Sequence, residues 1–242
     1  MESPYESPRL LDEYLLFHYG SPRDVLPWDF GPVEALDFPV RTVIGLAGSS
    51  RRERALDLGC AVGRSTFELS RFCTHVTGID YSRSFITAAE TLRRSGSLGY
   101  ASREEGAATR SLVAKVPQGC HPDRVTFEQG DAMDLRDDLG EFDLIHAANL
   151  LCRVADPVRL LLRLPRMVSP GGTLILTTPC TWLEEFTPPS RWPSASTFDW
   201  LERELSPHFG LLRRTDLPFL IREHARKFQW SVALATVWSR LP

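Results

Sequence analysis

Between residues 54 and 80 the chain sets down an apolar run, a glycine-bearing turn, a helical stretch and a second apolar run that ends on an acid. That order is the repeating unit of an open parallel sheet, because two neighbouring parallel strands need a crossover and a helix supplies it. The turn reads Ala55-Leu56-Asp57-Leu58-Gly59-Cys60-Ala61-Val62-Gly63-Arg64-Ser65, a D-x-G-x-x-x-G pattern. Gly59 lets the backbone approach a ligand with no Cβ in the way, and Gly63 permits a tight entry into the helix. Asp57 stands at the C-terminal end of the first strand, in the crevice where open α/β sheets bind ligands. The spacing is not the G-x-G-x-x-G of a pyrophosphate turn, and an acid opening the loop suits a cationic ligand better than a phosphate. Val76-Thr77-Gly78-Ile79-Asp80 is the second run. Its terminal acid can accept hydrogen bonds from both hydroxyls of a ribose, as it would for NAD or for another adenosine ligand.

The alternation continues downstream. Apolar runs at 54–58, 75–79, 125–128, 142–147 and 173–178 predict strands, and helical spacing predicts helices over 65–72, 84–93 and 157–168. Two further runs, 210–219 and 228–238, lie close enough in sequence to pair antiparallel. The expected fold is α/β: a doubly wound, Rossmann-like, mostly parallel seven-stranded sheet with a C-terminal antiparallel hairpin. Residues 1–50 read as a helical extension covering the site, with helices over 9–19 and 38–48 and a proline-bearing connector between them. Residues 51–242 read as the sheet domain. Segment 95–123, rich in Gly, Ser, Ala and charge, reads as a surface insertion within it, functional or mobile.

Composition narrows the partners. The 28 Lys and Arg against 31 Asp and Glu leave a net charge of −3, the wrong sign for holding a nucleic-acid backbone. The five cysteines, Cys60, Cys73, Cys120, Cys152 and Cys180, are odd in number and contain no C-x-x-C pair. They suggest neither a disulfide framework nor a zinc site, and unpaired thiols point to the cytoplasm. The first eight residues are polar and proline-bearing, unlike a signal peptide, and no run is long enough to span a membrane. No metal is expected.

Three more motifs follow in order. Phe127-Glu128-Gln129-Gly130-Asp131-Ala132 ends the third strand, Phe142-Asp143-Leu144-Ile145 opens the fourth, and Ser169-Pro170-Gly171-Gly172-Thr173-Leu174 is a turn before the fifth. Together with the Asp57 turn and Asp80 they resemble class I S-adenosylmethionine (SAM) dependent methyltransferases over roughly residues 54–180. The resemblance implies SAM as cofactor and S-adenosylhomocysteine as product. It sets Asp57, Gly59, Cys60, Gly63, Asp80, Tyr81, Asp131, Ala132 and Asn149 around the cofactor. Asp131 would meet the adenine amino group, and Asn149, at the tip of the fourth strand, would orient the acceptor. After that strand the chain has no N-P-P-Y, the motif of amino methylation on adenine or glutamine. Pro179-Cys180 follows the fifth strand rather than the fourth, so Cys180 reads as a turn residue and not as a nucleophile.

The flanks are similar to one narrower family. Tyr14-Leu15-Leu16-Phe17-His18-Tyr19-Gly20, Pro27-Trp28-Asp29-Phe30-Gly31-Pro32, Thr181 to Pro188, and Pro218 to Trp230 resemble the C-terminal methyltransferase domain of the ovothiol-synthesis enzymes, the OvoA family. That resemblance implies methylation of the imidazole π-nitrogen of 5-thiohistidine, giving ovothiol A. In that family an iron-dependent sulfoxide synthase module precedes the domain, so this chain would work with such a module or be cut from one. A zwitterionic amino-acid substrate needs a cation and an anion. Arg222, Arg226 or Lys227 could meet its carboxylate, and Glu184, Glu185 or Glu223 its ammonium, with Arg153 a further substrate-binding candidate. Tyr14, Phe17, Tyr19, Trp28 and Trp182 could wall an imidazole. His18, His146 and His224 read as structural. Another small acceptor, a protein histidine, or a SAM-binding module without catalysis stay open at this point.

Overall fold

The computed structural model describes residues 4–242, so the expectations for residues 1–3 lie outside the described residues. Three helices come first. α1 (Pro8–Tyr19) starts at Ser7, whose side chain accepts from the Leu10 N–H, and ends where the Gly20 N–H closes on Leu16 O. α2 (Pro22–Val25) carries a reciprocal Ser21–Asp24 capping box. α3 (Phe38–Ile44) stops at Gly45, four residues short of the expected end. The alternating part then runs β1 (Arg52–Leu58), α4 (Arg64–Leu69), β2 (Cys73–Asp80), α5 (Arg83–Ser95), a hairpin of β3 (Ser97–Glu105) and β4 (Ala108–Lys115), β5 (Val125–Gln129), β6 (Phe142–Ala148), α6 (Pro157–Arg163) and β7 (Val168–Thr178). It closes with α7 (Thr197–Leu205), β8 (Phe209–His224) and β9 (Lys227–Arg240).

The main sheet has seven strands in the order β5-β2-β1-β6-β7-β9-β8. Its first five are parallel, β9 runs antiparallel to β7, and β8 and β9 form the terminal hairpin. This is the expected Rossmann-like architecture. The chain leaves β1 toward β2 and β5 on one side and toward β6 and β7 on the other, so the strand order reverses beside β1. A ligand crevice opens at such a reversal, outside the carboxyl ends of the strands. Leu56, Leu58, Leu144 and Ile145 are fully buried, as in central parallel strands covered on both faces. One face packs under α1, α3, α4 and α5 through Leu15, Phe67, Val76 and Leu92. The other packs under α6 and α7 through Leu161, Leu201, Trp200 and Trp238.

The structure refines the sequence expectations at several places. The expected insertion, segment 95–123, is mostly the β3–β4 hairpin, a separate two-stranded sheet. Its polar composition hides a period-two pattern in which Leu98, Tyr100 and Ser102 alternate with exposed residues and Gly106 makes the turn. The helix expected over 157–168 stops at Arg163, because Pro165 has no N–H to carry the α-helical ladder, and residues 164–166 tighten into a 3-10 turn. Ser169-Pro170-Gly171-Gly172 lies inside β7 as a register irregularity against β6, not as a turn ahead of the strand. α7 was not anticipated, although Ser196 caps it at the Asp199 N–H and Trp200, Leu201 and Leu205 bury one face. Among the described residues no helix is long and apolar enough to cross a membrane.

Candidate active site

A cavity of about 470 Å³ opens at the carboxyl ends of β1, β2 and β6 and is roofed by α1. Its floor is the turn after β1. Gly59, Ala61 and Gly63 all take left-handed backbone, with φ of 77°, 47° and 85°. Only glycine does this without steric cost, so Ala61 needs support. It has that support from Asp80, whose Oδ2 accepts from the Ala61 N–H at 2.9 Å while Oδ1 accepts from the Ser82 N–H at 2.9 Å. One carboxylate therefore clamps the loops that follow β1 and β2. Burial pushes the Asp80 carboxyl up to about 6, although the two N–H donors pull the other way.

Asp57 is almost fully buried and already has protein partners. Its Oδ2 accepts from Thr66 Oγ1 at 2.6 Å, which ties α4 to β1. Its Oδ1 lies 2.7 Å from His146 Nδ1, and His146 Nε2 lies 3.1 Å from Thr42 Oγ1 on α3. The pair follows from strand register, since Asp57 and His146 stand opposite each other on the adjacent parallel strands β1 and β6. A buried polar chain satisfied at each link rigidifies the floor of the cavity.

The far half of the cavity is aromatic. Tyr14 and His18, one helical turn apart on α1, stack with ring centres 5.9 Å apart, and Phe17 meets His18 edge-on at 5.3 Å. Phe38, Phe85 and Phe186 complete the wall. The Tyr5 hydroxyl hydrogen-bonds with Tyr14 and Arg153. Arg153 lies over the Phe186 ring at 5.0 Å and donates to Thr181 O at 2.9 Å. His18 Nδ1 is buried with no hydrogen-bond partner in the described structure. Burial, and then the charge of Arg64, push its imidazole down to about 3, so it is neutral at physiological pH. Asn149 has φ 55°; its N–H donates to Thr177 O at 2.8 Å and its Oδ1 accepts from Thr177 Oγ1 at 3.0 Å.

Of the residues singled out from the sequence, Asp57, Gly59, Cys60, Asp80, Tyr81, Asp131, Ala132 and Asn149 all line this cavity, as do Tyr14, Phe17, Arg153 and Glu185. Gly63 lies beneath it as the cap of α4. Burial raises the Cys60 thiol far above its ordinary range, which keeps it inert. Five expected substrate residues sit elsewhere. Tyr19 is turned away and donates to Val62 O at 2.8 Å. Trp28 donates to Ala225 O at 2.9 Å, with Arg226 stacked over its ring at 5.2 Å, so the two meet each other at the β8–β9 turn. Trp182 packs edge-on against Trp200 and points its Nε1 at Thr197 Oγ1. Arg222 is fully buried against Asp24 O and Glu104, in a second cavity.

Several lining residues escaped sequence reasoning. His18 had a usable signal, since it lies four residues after Tyr14 on a helix. His146 could have been placed opposite Asp57 by strand register. Tyr5 and Phe186 had none, because only tertiary packing brings them to the cavity, where their rings lie 6.0 Å apart.

Comparison with known proteins agrees with this geometry. Residues 37–225 match the family model described as a methyltransferase domain. An uncharacterized protein of Synechococcus sp. is 32% identical over 133 residues, 54% of this chain and 26% of that protein. A ubiquinone biosynthesis O-methyltransferase of Cupriavidus pinatubonensis is 25% identical over 179 residues, 72% of this chain and 60% of that enzyme. The chain thus spans between about a quarter and three-fifths of these curated relatives. Among solved structures, the N-methyltransferase NodS of Bradyrhizobium japonicum with bound S-adenosylhomocysteine shares the fold, with a TM-score of 0.52 and 16% identity over 84% of this chain and 83% of NodS. The cavity suits SAM. The half of the cavity away from the aromatic wall is lined by the carboxylates of Asp57, Asp80 and Asp131. That charge repels a pyrophosphate and favours a ligand with a sulfonium, an ammonium and a ribose. The chain belongs to the methyltransferase-domain family, and its cofactor is S-adenosylmethionine.

Proposed function

We propose that this enzyme methylates the π-nitrogen of the imidazole ring of 5-thiohistidine, giving ovothiol A. The observation that carries the reading is the acceptor half of the cavity. Tyr14, Phe17, Phe38 and Phe186 form an aromatic wall lined also by the cation Arg153 and, on the exposed side, by the carboxylate Glu185, which has no ion-pair partner among the described residues. That is the complement of a small aromatic zwitterion. The resemblance of the flanking segments to the ovothiol-synthesis family supports the same acceptor.

SAM, when bound, supplies a methyl group already activated by its sulfonium. Asp80 holds the ribose, the Gly59–Gly63 turn leaves room for the backbone to approach, and Asp131 and Ala132 meet the adenine. Arg153 takes the substrate carboxylate and Glu185 its ammonium. The ring nitrogen to be methylated must carry its lone pair, so the other ring nitrogen carries the proton. His18, held neutral, accepts that N–H and so selects the tautomer. A neutral imidazole needs alignment rather than deprotonation, and alignment alone supplies about 7–11 kcal/mol in favourable cases.

Incubation with labelled SAM and either 5-thiohistidine, histidine or a histidine peptide tests the acceptor. Turnover is expected with 5-thiohistidine well above the others; absence of product from it would sink the proposal. His18→Phe is expected to lower kcat by roughly 10–100-fold, the worth of one buried hydrogen bond at about 1–3 kcal/mol. It should also give a mixture of the two ring-methylated products, while SAM affinity holds. His18→Gln, which keeps an acceptor, should recover part of the selectivity.

Cofactor binding should depend on pH with a definite sign. Ribose hydroxyls donate to the ionised Asp80, so the bound state favours the deprotonated form. Free Asp80 takes up its proton at about pH 6. SAM affinity is therefore expected to be flat above pH 7 and to fall as pH drops through 6, approaching about tenfold per pH unit below it. Titration calorimetry at several pH values reads this directly, and affinity that rose on acidification would exclude the ribose role of Asp80.

A further inference from the structure

A second cavity, of about 300 Å³, lies where α1, the β3–β4 hairpin and the end of β8 converge. α1 lends Tyr14, Phe17 and His18 to the active site but Asp12 and Leu16 to this second space. Two fully buried side chains on its wall keep a polar atom without a partner: Ser102 Oγ on β3 and Arg222 Nε on β8. Leaving such atoms unmet costs the full desolvation of a polar group. The remaining guanidinium nitrogens of Arg222 are used, on Asp24 O, on Arg103 O and on Glu104 Oε2.

The acids at this cavity are not equivalent. Glu13 is paired with Arg9 at 2.8 Å, and Glu223 with Lys227 at 2.8 Å. Asp12 accepts only the Ala101 N–H, at 3.3 Å, and has no ion-pair partner among the described residues. What the wall leaves unmet is thus a guanidinium N–H and a hydroxyl on one hand and a carboxylate on the other. Leu16, Ala101 and Ala107 add apolar lining.

We infer that this second cavity binds a free α-amino acid with an aliphatic side chain, its carboxylate on Arg222 Nε and Ser102 Oγ and its ammonium on Asp12. A phosphorylated ligand is disfavoured by the three acids, and a polyamine by Arg222. The ligand would press on α1, the helix that roofs the active site, so its binding and that of the methyl acceptor are linked reciprocally. The site does not depend on which acceptor the enzyme uses.

The test uses the full chain saturated with S-adenosylhomocysteine, screened by thermal shift and then calorimetry against alanine, valine, leucine and isoleucine. At least one is expected to bind saturably at a ratio of one. Acetate and ethylamine, each carrying half of the charge pattern, should bind about tenfold or more weakly. Asp12→Asn and Ser102→Ala should each weaken the amino acid by about tenfold or more, the worth of one hydrogen bond to a charged group, and Arg153→Ala should leave it unchanged. Circular dichroism checks that the variants fold, and Ser102→Ala decides if Asp12→Asn does not. Absence of binding by all four, leaving ordered water in the cavity, overturns the inference. So does binding that survives Ser102→Ala and is lost in Arg153→Ala, which would place the ligand in the active site.

Discussion

A Gly63→Ala enzyme is expected to melt roughly 5–15 °C below the wild type and to lose SAM binding with it. A Cβ on Gly63 would stand 2.5 Å from Phe127 Cζ and 3.1 Å from Ala89 Cβ. The ring has no free direction in which to yield. Gly78 supports it from the adjacent strand, where a Cβ would meet it at 2.8 Å, and Phe67 packs edge-on against it at 5.5 Å. Overpacking of this kind costs about 1–3 kcal/mol, and the left-handed φ of 85° adds about 1–2 for a residue with a side chain. For a chain of this size each kcal/mol moves the midpoint by about 2–4 °C. Gly96→Ala is the control. Its φ is 75°, but a Cβ there meets nothing within 4 Å, so only the backbone cost applies. Equal losses in the two variants, read by differential scanning calorimetry, would show that packing under the cofactor turn is not what Gly63 provides.

Asp80→Asn should raise the dissociation constant for SAM by about 10²–10⁴-fold at pH 7.5, with little change in the melting temperature of the free enzyme. The carboxylate has four acceptor positions, and two are spent on the Ala61 and Ser82 N–H groups. The others remain for the ribose. Asparagine has one oxygen, so its amide nitrogen must face either a loop N–H or a ribose hydroxyl. Two hydrogen bonds to a charged acceptor, at about 1.5–3 kcal/mol each, give the size of the loss. The stability of the free enzyme behaves differently because burial already strains the ionised form, as its raised pKa shows. Removing the charge relieves that cost and offsets the lost loop contact. Calorimetric titration with SAM and a thermal melt of the same sample separate the two effects. A variant that melted far lower yet bound SAM normally would assign Asp80 to structure alone.

What the sequence by itself determined was the local and the repetitive. The D-x-G-x-x-x-G turn, the acid twenty-odd residues on, and the alternation of short apolar runs with helical spacing all express periodicities that a short segment carries complete. They were enough for the sheet, its terminal hairpin and the residues that gather at the carboxyl ends of β1 and β2. The β3–β4 hairpin was missed because its alternating residues are small or polar and its inward row is short. The fate of the aromatic and charged flanks was decided only by the tertiary structure. On α1, Tyr14 and His18 share a face and reach the cavity, while Tyr19, one residue and about 100° further round, bonds to Val62 O. Arg222 and Arg226 read as a substrate clamp in sequence. The long β8–β9 hairpin instead carries one into a second cavity beside α1 and sets the other on Trp28. The stretch from Asp57 to Asp80 announced an adenosine ligand because the features that do so lie in backbone geometry encoded nearby. The aromatic half of the cavity, which we propose takes the acceptor, is assembled from Tyr5, His18, Arg153 and Phe186, residues far apart in sequence, and no local pattern could have announced their meeting.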